Sequence, residues 1–300
     1  MDNVKKGHII AFATIFMWST TFVSTKVVLE SLSPIEILLF RFILGYFALL
    51  IVHPRFKLFT SIKDEILFLL LGGSGVFLYF ILENIALQYT QATNVGVIVS
   101  TAPIFTALIA SILVKDAKIN IGLIFGFFLA ISGILLLISD RSEVLELNLV
   151  GDMTALAGSF SFGLYSVLTQ KVDSNKYHYI FVTQKTFVYG IIWMLIYILV
   201  SGEKLTYSNI FDVRILSNML FLGLVASGLC FVLWNYAIRL IGSVSTSNYI
   251  YLVPLITAVT AVVVLGERVT WSILGGGILI IFGLLISQGK IGIIRISQRI

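Results

Sequence analysis

Residues 74–116 recur as residues 225–267 at a constant offset of 151, with no gap. Phe80, Leu82, Asn84, Ala86, Pro103, Thr106, Ala107 and Ala110 reappear as Phe231, Leu233, Asn235, Ala237, Pro254, Thr257, Ala258 and Ala261. Each copy lies in a half that reads as five membrane-spanning helices. An odd number of crossings makes the second half enter the membrane from the opposite side. Two homologous halves in inverted orientation are the sequence mark of a protein that alternates access across a bilayer. The expected fold is an all-α integral membrane protein with ten transmembrane helices, as two inverted five-helix repeats, residues 1–147 and 148–300.

The composition leaves no room for a soluble exterior. Mean hydropathy is +1.03, and 58% of residues are hydrophobic against 12% charged. The charges cluster, so that His8–Thr25, Ala92–Val114, Ile119–Ser139, Met153–Gln170, Ile215–Ile238, Ile241–Gly266 and Val269–Gly289 hold no Lys, Arg, Asp or Glu. Three further spans each hold one charge: Ile35–Val52 with Arg41, Ile66–Gln88 with Glu83, and Tyr177–Val200 with Lys185. A run of roughly 20 residues crosses a hydrocarbon core of about 30 Å as a helix. Continuous apolar runs exclude a transmembrane β-barrel, whose strands alternate. The first span is too long for a signal peptide and lacks a cleavage site, so it is expected to stay. The lone Cys230 sits mid-span and builds no disulfide framework.

The basic residues divide unevenly between alternate loops. Thirteen Lys and Arg, including Lys5, Lys6, Arg55, Lys115 and Lys171, fall on one side; Lys26, Arg141, Lys204, Arg214 and Arg268 fall on the other. The positive-inside rule makes the first side cytoplasmic and puts both termini there, in a multi-pass protein of the inner or plasma membrane. The net charge of +5 is therefore a topology signal, and no nucleic-acid partner is expected.

Several short motifs follow one another along these spans. They are Trp18-Ser19-Thr20-Thr21-Phe22, Arg41, Glu83-Asn84-Ile85-Ala86-Leu87, Ala102-Pro103, Asn235-Tyr236-Ala237, Val253-Pro254-Leu255 and Leu265-Gly266-Glu267-Arg268. In order and spacing the chain resembles the drug/metabolite transporter superfamily, in particular its EamA-type ten-helix permeases, over roughly residues 8–288. It departs from a perfect repeat where Lys115-Asp116 stands opposite Gly266-Glu267 and Trp234 opposite Glu83. The resemblance implies a transporter of small metabolites or amphiphiles and leaves the substrate open.

Glu83 is the acidic residue expected well inside a span, where an unpaired carboxylate in lipid is expensive. It reads as a proton-coupling group or a counter-ion for a substrate amine, since desolvation favours the neutral acid. The alternative is a structural partner for Arg41 or Lys185. Tyr79, one turn earlier on the same face, would bring a hydroxyl to the same cavity. Asn84 and Asn235 are repeat equivalents, suited either to bridging helices or to holding a ligand. Arg41 and Lys185 are expected to snorkel or to pair near helix ends, with substrate binding the alternative. Trp18 and Trp234 lie mid-span, away from the interfacial belt, and with Tyr79 and Tyr165 would wall a site for an apolar or cationic solute.

Pro103 and Pro254 each remove a mid-span backbone hydrogen bond and are the expected hinges. The segment Ser243–Tyr251, with Asn248 and Tyr251, is too polar to face lipid, and its counterpart Thr93–Thr101 carries Asn94. Both are expected to line the cavity. The glycine-rich spans Ile119–Ser139 and Val269–Gly289 suit peripheral packing or a homodimer surface. There is no Walker-type loop, metal-ligating cluster or soluble domain, so neither cofactor, metal nor enzyme activity is expected. The reading is a secondary transporter exporting an amino acid or related solute, with protons as a coupling-ion option. Broad efflux of hydrophobic or cationic amines is the alternative, and an intramembrane enzyme or a channel the remote one.

Overall fold

The computed structural model describes residues 2–54, 59–89, 92–114, 121–138, 148–207, 209–256 and 271–287, without the side chains of 92–94 and 272–274. Among the described residues the chain is helical, with no strand. We label α1 (Asn3–Val28), α2 (Pro34–Val52), α3 (Ile62–Tyr89), α4 (Ala92–Val99 and Ala102–Leu113) and α5 (Ile121–Ile138). The second half holds α6 (Leu149–Gln170), α7 (Tyr179–Ser201), α8 (Val213–Ile241), α9 (Ser243–Ser247, Asn248–Leu252 and 253–256) and α10 (Trp271–Ser287). Six of these, α1 to α4, α7 and α8, are both long and apolar enough to cross a bilayer. Large apolar side chains stand exposed along the shafts, among them Phe12, Phe16, Phe47, Phe128 and Leu195. A water-facing monomer does not carry such a surface.

The halves interlock. Helix α1 runs along α8 and α3 runs along α6, while α2 crosses the middle of α8 and α7 crosses the middle of α3. At both crossings the helix is widened to π geometry, over Gly72–Leu78 in α3 and Phe221–Leu229 in α8. The offset of 151 carries Gly72 onto Gly223 and Leu78 onto Leu229, so the two widenings are repeat equivalents. Such turns recur at functional sites because they loosen the backbone ladder. Here Ser161 Oγ donates to the carbonyl of Ser74 (2.8 Å), and Trp18 Nε1 donates to that of Ala226 (2.8 Å).

Glycine sets the closeness of both crossings. A Cβ on Gly72 would lie 2.5 Å from the backbone nitrogen of Gly190, and one on Gly45 would lie 3.0 Å from the carbonyl oxygen of Gly223. The glycines of α5 and α10 do the same between those two helices. A Cβ on Gly126 would meet the Gly283 carbonyl at 2.5 Å, and one on Gly133 the Gly276 carbonyl at 2.7 Å. These small residues are thus engaged within the chain, whereas the sequence left a dimer surface open.

Two helices are interrupted where hydroxyl residues cluster. Ser19 Oγ, Thr20 Oγ1 and Thr21 Oγ1 donate back to the carbonyls of Ile15, Met17 and Trp18, each at 2.7 Å. These bonds compete with the helical ladder, and α1 breaks between Trp18 and Thr21. In α4, Ser100 and Thr101 donate to Gly96 and Ile98, and Pro103 sits in the first turn of the following segment. Pro254 follows a 3₁₀ stretch, Asn248–Leu252. Each proline therefore stands next to irregular backbone.

Candidate functional site

The interrupted helices meet at a small internal cavity of about 30 Å³, bounded by Trp18 and Thr21 of α1, Tyr79 and Glu83 of α3, Phe162 of α6 and Val253 of α9. That volume holds about one water molecule. In this state the site is too small to hold a solute. The break in α1 aims Trp18 inward while its indole nitrogen is tied to α8. Phe162 packs on Trp18 edge-on with centroids 5.8 Å apart, and on Tyr79 at 4.8 Å. Trp234 stands behind this wall, 5.2 Å from Trp18 and 5.5 Å from Phe162, fully buried. It is a backing side chain rather than a lining one.

The Glu83 carboxylate is 3% exposed and borders the cavity, and among the described residues no ion pair involves it. Tyr79, one turn earlier, borders the same space. Arg41 approaches from α2. It is fully buried, its Nε donates to Ser227 Oγ at 2.9 Å, and its guanidinium carbon lies 4.3 Å from the centre of the Phe80 ring. Both terminal guanidinium nitrogens are without a hydrogen-bond partner. Arg41 lies within electrostatic reach of Glu83 but outside the 4.0 Å of an ion pair.

Arg41 therefore does not snorkel, whereas Lys185 takes the second of its two expected roles and pairs at a helix end, with Glu65 in the first turn of α3. Lys185 Nζ donates to Glu65 at 2.9 and 3.0 Å, and the Tyr189 hydroxyl completes the carboxylate's shell from the same helix. The burial of both cations has one cause. The glycine crossings bring α2 onto α8 and α7 onto α3 so closely that cations about two turns inside a span are covered by protein, not lipid. Glu83 is also not alone as a buried carboxylate, since Glu36 and Glu65 are 2% and 7% exposed. Glu36 caps α2 and accepts from Thr206 and Tyr207, which pins the loop before α8.

A second cavity of about 210 Å³ opens at the ends of α6 and α8 and the start of α7, with Gln170, Tyr177, Tyr179, Asn235 and Arg239 on its walls. Asn235 forms its floor. Tyr165 donates to Asn235 Oδ1 at 2.6 Å, and Asn235 Nδ2 donates to Thr183 Oγ1 at 2.9 Å. Tyr165 in turn packs against Phe162 at 5.8 Å. Phe162, Tyr165 and Asn235 thus form one contact path from the central cavity to this vestibule, and Phe231, 5.7 Å from Tyr165 and 5.6 Å from Trp18, forms another.

The remaining sequence candidates are placed elsewhere. Asn84 donates to the carbonyl of Pro34 at 3.4 Å, tying α3 to the start of α2, so its role differs from that of Asn235. Asn248 and Tyr251 are buried in the 3₁₀ stretch, with Asn248 Oδ1 and the Tyr251 hydroxyl unpartnered. The side chain of Asn94 lies outside the described residues. Sequence reasoning placed substrate binding by Arg41 second to snorkelling or pairing, and passed over Phe80 and Phe162. The exclusion of Arg41 from lipid, which would have exposed its importance, depends on contacts between residues nearly two hundred positions apart.

The sequence profile of the EamA-like transporter family matches this chain twice, over residues 5–139 and 149–288. The chain belongs to the EamA-like transporter family. An uncharacterized transporter from Archaeoglobus fulgidus is 30% identical over 294 residues, covering 95% of this chain and 98% of the relative. A probable amino-acid metabolite efflux pump from Salmonella typhimurium is 24% identical over 297 residues, 94% of this chain and 95% of the pump. A solved crystal structure at 16% identity superposes with a TM-score of 0.74 over 94% of this chain and 96% of its own, which supports the fold. As an EamA-like transporter the protein is a multi-pass membrane protein and not an enzyme, and the cavities are to be read as parts of a solute path.

Proposed function

We propose that this EamA-like chain is a secondary transporter that exports an amino acid or related small metabolite across the cell membrane by alternating access. The two inverted repeats, residues 1–147 and 148–300, would rock against each other, with both termini in the cytoplasm. The observation that carries the reading is the pair of cavities joined by the contact chain Phe162, Tyr165 and Asn235. A channel needs a continuous path, whereas a carrier needs a barrier thin enough to change sides. Interrupted helices at Trp18, Ser100–Thr101 and Asn248–Leu252 border the central cavity and supply bending points, with Pro103 and Pro254 beside two of them. The Salmonella relative's description supports the choice of substrate class.

Glu83 is the group we assign to proton coupling, because it borders the cavity hydrogen-bonded to the neutral Tyr79 hydroxyl rather than ion-paired to a cation. The carboxylate and the rings around it also favour a second reading, efflux of hydrophobic amines, through a cation site. The test uses the purified chain in liposomes loaded with unlabelled amino acids. Counterflow of labelled leucine or phenylalanine, accelerated by an imposed pH gradient, is the expected result. Glu83→Gln should keep counterflow and lose the gradient effect. Flux that neither saturates nor shows counterflow would sink the carrier reading, and an unchanged gradient response in Glu83→Gln would remove protons from Glu83.

A further inference from the structure

Arg41 is a buried cation with no carboxylate at ion-pair distance among the described residues, Glu83 acting on it only across a gap. Its guanidinium stays charged at any working pH. Among the described residues its hydrogen bond is Nε to Ser227 Oγ, and both terminal nitrogens are without a partner although the side chain is fully buried. A desolvated unpaired charge of this kind costs enough that it persists where function uses it. The repeat provides an internal control. Lys185 lies at the matching depth of α7, and there the chain supplies Glu65 at 2.9 Å. The architecture can place a carboxylate against a buried cation, and at Arg41 it does not.

We infer that Arg41 is the receptor for a carboxylate on the substrate, so that the central site takes zwitterions and carboxylic acids and rejects amines. This rests on the transport reading above and narrows its substrate. The charges decide between the substrates that reading left open. With Glu83 ionised, Arg41 and Glu83 together are neutral; with Glu83 protonated, a simple carboxylate balances Arg41 alone, and an amine is unfavourable in either case. A bound amine would raise the site to a net positive charge in a water-poor interior, whereas a zwitterion leaves it neutral with its carboxylate toward Arg41. The planar fork of free nitrogens suits a carboxylate, which accepts two parallel hydrogen bonds. Phe80 stands between, since its ring covers the guanidinium at 4.3 Å and also borders the cavity. Phe80 is therefore the side chain that must turn as the site expands from this small volume.

The test is the thermal stability of the purified full chain against matched compounds: leucine, 3-methylbutylamine and 4-methylpentanoate, then phenylalanine, phenethylamine and 3-phenylpropanoate. Ligands of the folded state raise Tm by mass action. Zwitterions or acids should shift Tm and the two amines should not, and this wild-type comparison needs no variant to fold. Arg41→Lys keeps the charge but loses the fork, and should weaken binding at least about tenfold. Stabilisation by the amines alone would overturn the inference and leave the carrier standing, as would Arg41→Lys binding as tightly as wild type. No shift, together with no counterflow, would defeat both.

Discussion

Removing Lys185 should unbalance the chain more than any other single loss of charge. The ion pair with Glu65 is nearly sealed, with side chains 6% and 9% exposed, and Glu65 also receives hydrogen bonds from Tyr189 and Thr60. In Lys185→Met these three groups still hold the carboxylate, but its counter-charge is gone. Breaking a buried pair by deleting one member costs about 3–5 kcal/mol, because the survivor stays desolvated. The pair lies near the ends of α3 and α7, where water can reach in, so we take the lower end, about 3 kcal/mol. A loss of that size lowers Tm by on the order of 10 °C for a chain somewhat larger than the usual two-state range. The measurement is apparent Tm in one detergent at one scan rate, since membrane proteins commonly unfold irreversibly. Glu65→Gln/Lys185→Met removes both charges and should recover much of the loss, a coupling of about 1–3 kcal/mol in a double-mutant cycle. Additive single losses would refute the claim that the two charges depend on each other.

Two further outcomes follow from the packing. A Cβ at Gly75 would lie 2.2 Å from the ring of Tyr165, which is fully buried, so Gly75→Ala must displace the ring and its bond to Asn235; overpacking of this kind costs about 1–3 kcal/mol, and both Tm and counterflow should fall. The repeat-equivalent position carries Ala226, so a harmless Gly75→Ala would mean the Tyr165 contact is not rigid. Ser227→Asp places a carboxylate beside Arg41, where the burial cost of the guanidinium is already borne by the fold; Tm should hold or rise while substrate-induced stabilisation disappears, and a variant that still binds substrate would contradict the role given to Arg41.

The helical membrane fold was legible because its causes are local. Charge-free runs of sufficient length fix the spans, and the offset repeat fixes their relation. Trp18, Tyr79 and Glu83 were legible as neighbours of one cavity because unusual residues stand mid-span, Tyr79 and Glu83 one turn apart. What the sequence hid is tertiary. Trp234 is as unusual as Trp18, yet it lies one layer further from the cavity, a difference set by how α8 turns against α6. The π widenings at Gly72–Leu78 and Phe221–Leu229 carry no signature beyond small residues. Glu65 looked like an edge residue of α3 until α7, 120 positions on, was laid across it. The break in α1 was the nearest miss, because three successive hydroxyls after Trp18 predict back-bonding to the preceding turn.

The inverted repeat also explains why the informative residues lie where the two halves differ. A duplicated fold creates two equivalent crossings, α7 on α3 and α2 on α8, each closed by glycine and each holding a cation about two turns inside the span. If both cations had counter-ions, the two ends of the molecule would be locked alike and neither would answer to a solute. One end retains the complete pair, Lys185 with Glu65; at the other the partner of Arg41 is a serine hydroxyl, which satisfies one nitrogen and leaves the charge open. The same divergence puts Glu83 opposite Trp234, so that a carboxylate faces the central cavity from one half and an aromatic wall backs it from the other. A solute bearing its own carboxylate then does at the Arg41 end what Glu65 does at the Lys185 end. Binding supplies the missing counter-charge and removes an electrostatic penalty present in the empty carrier. A ligand shifts a conformational equilibrium only through such a difference between states, and an amine has none to offer at this position.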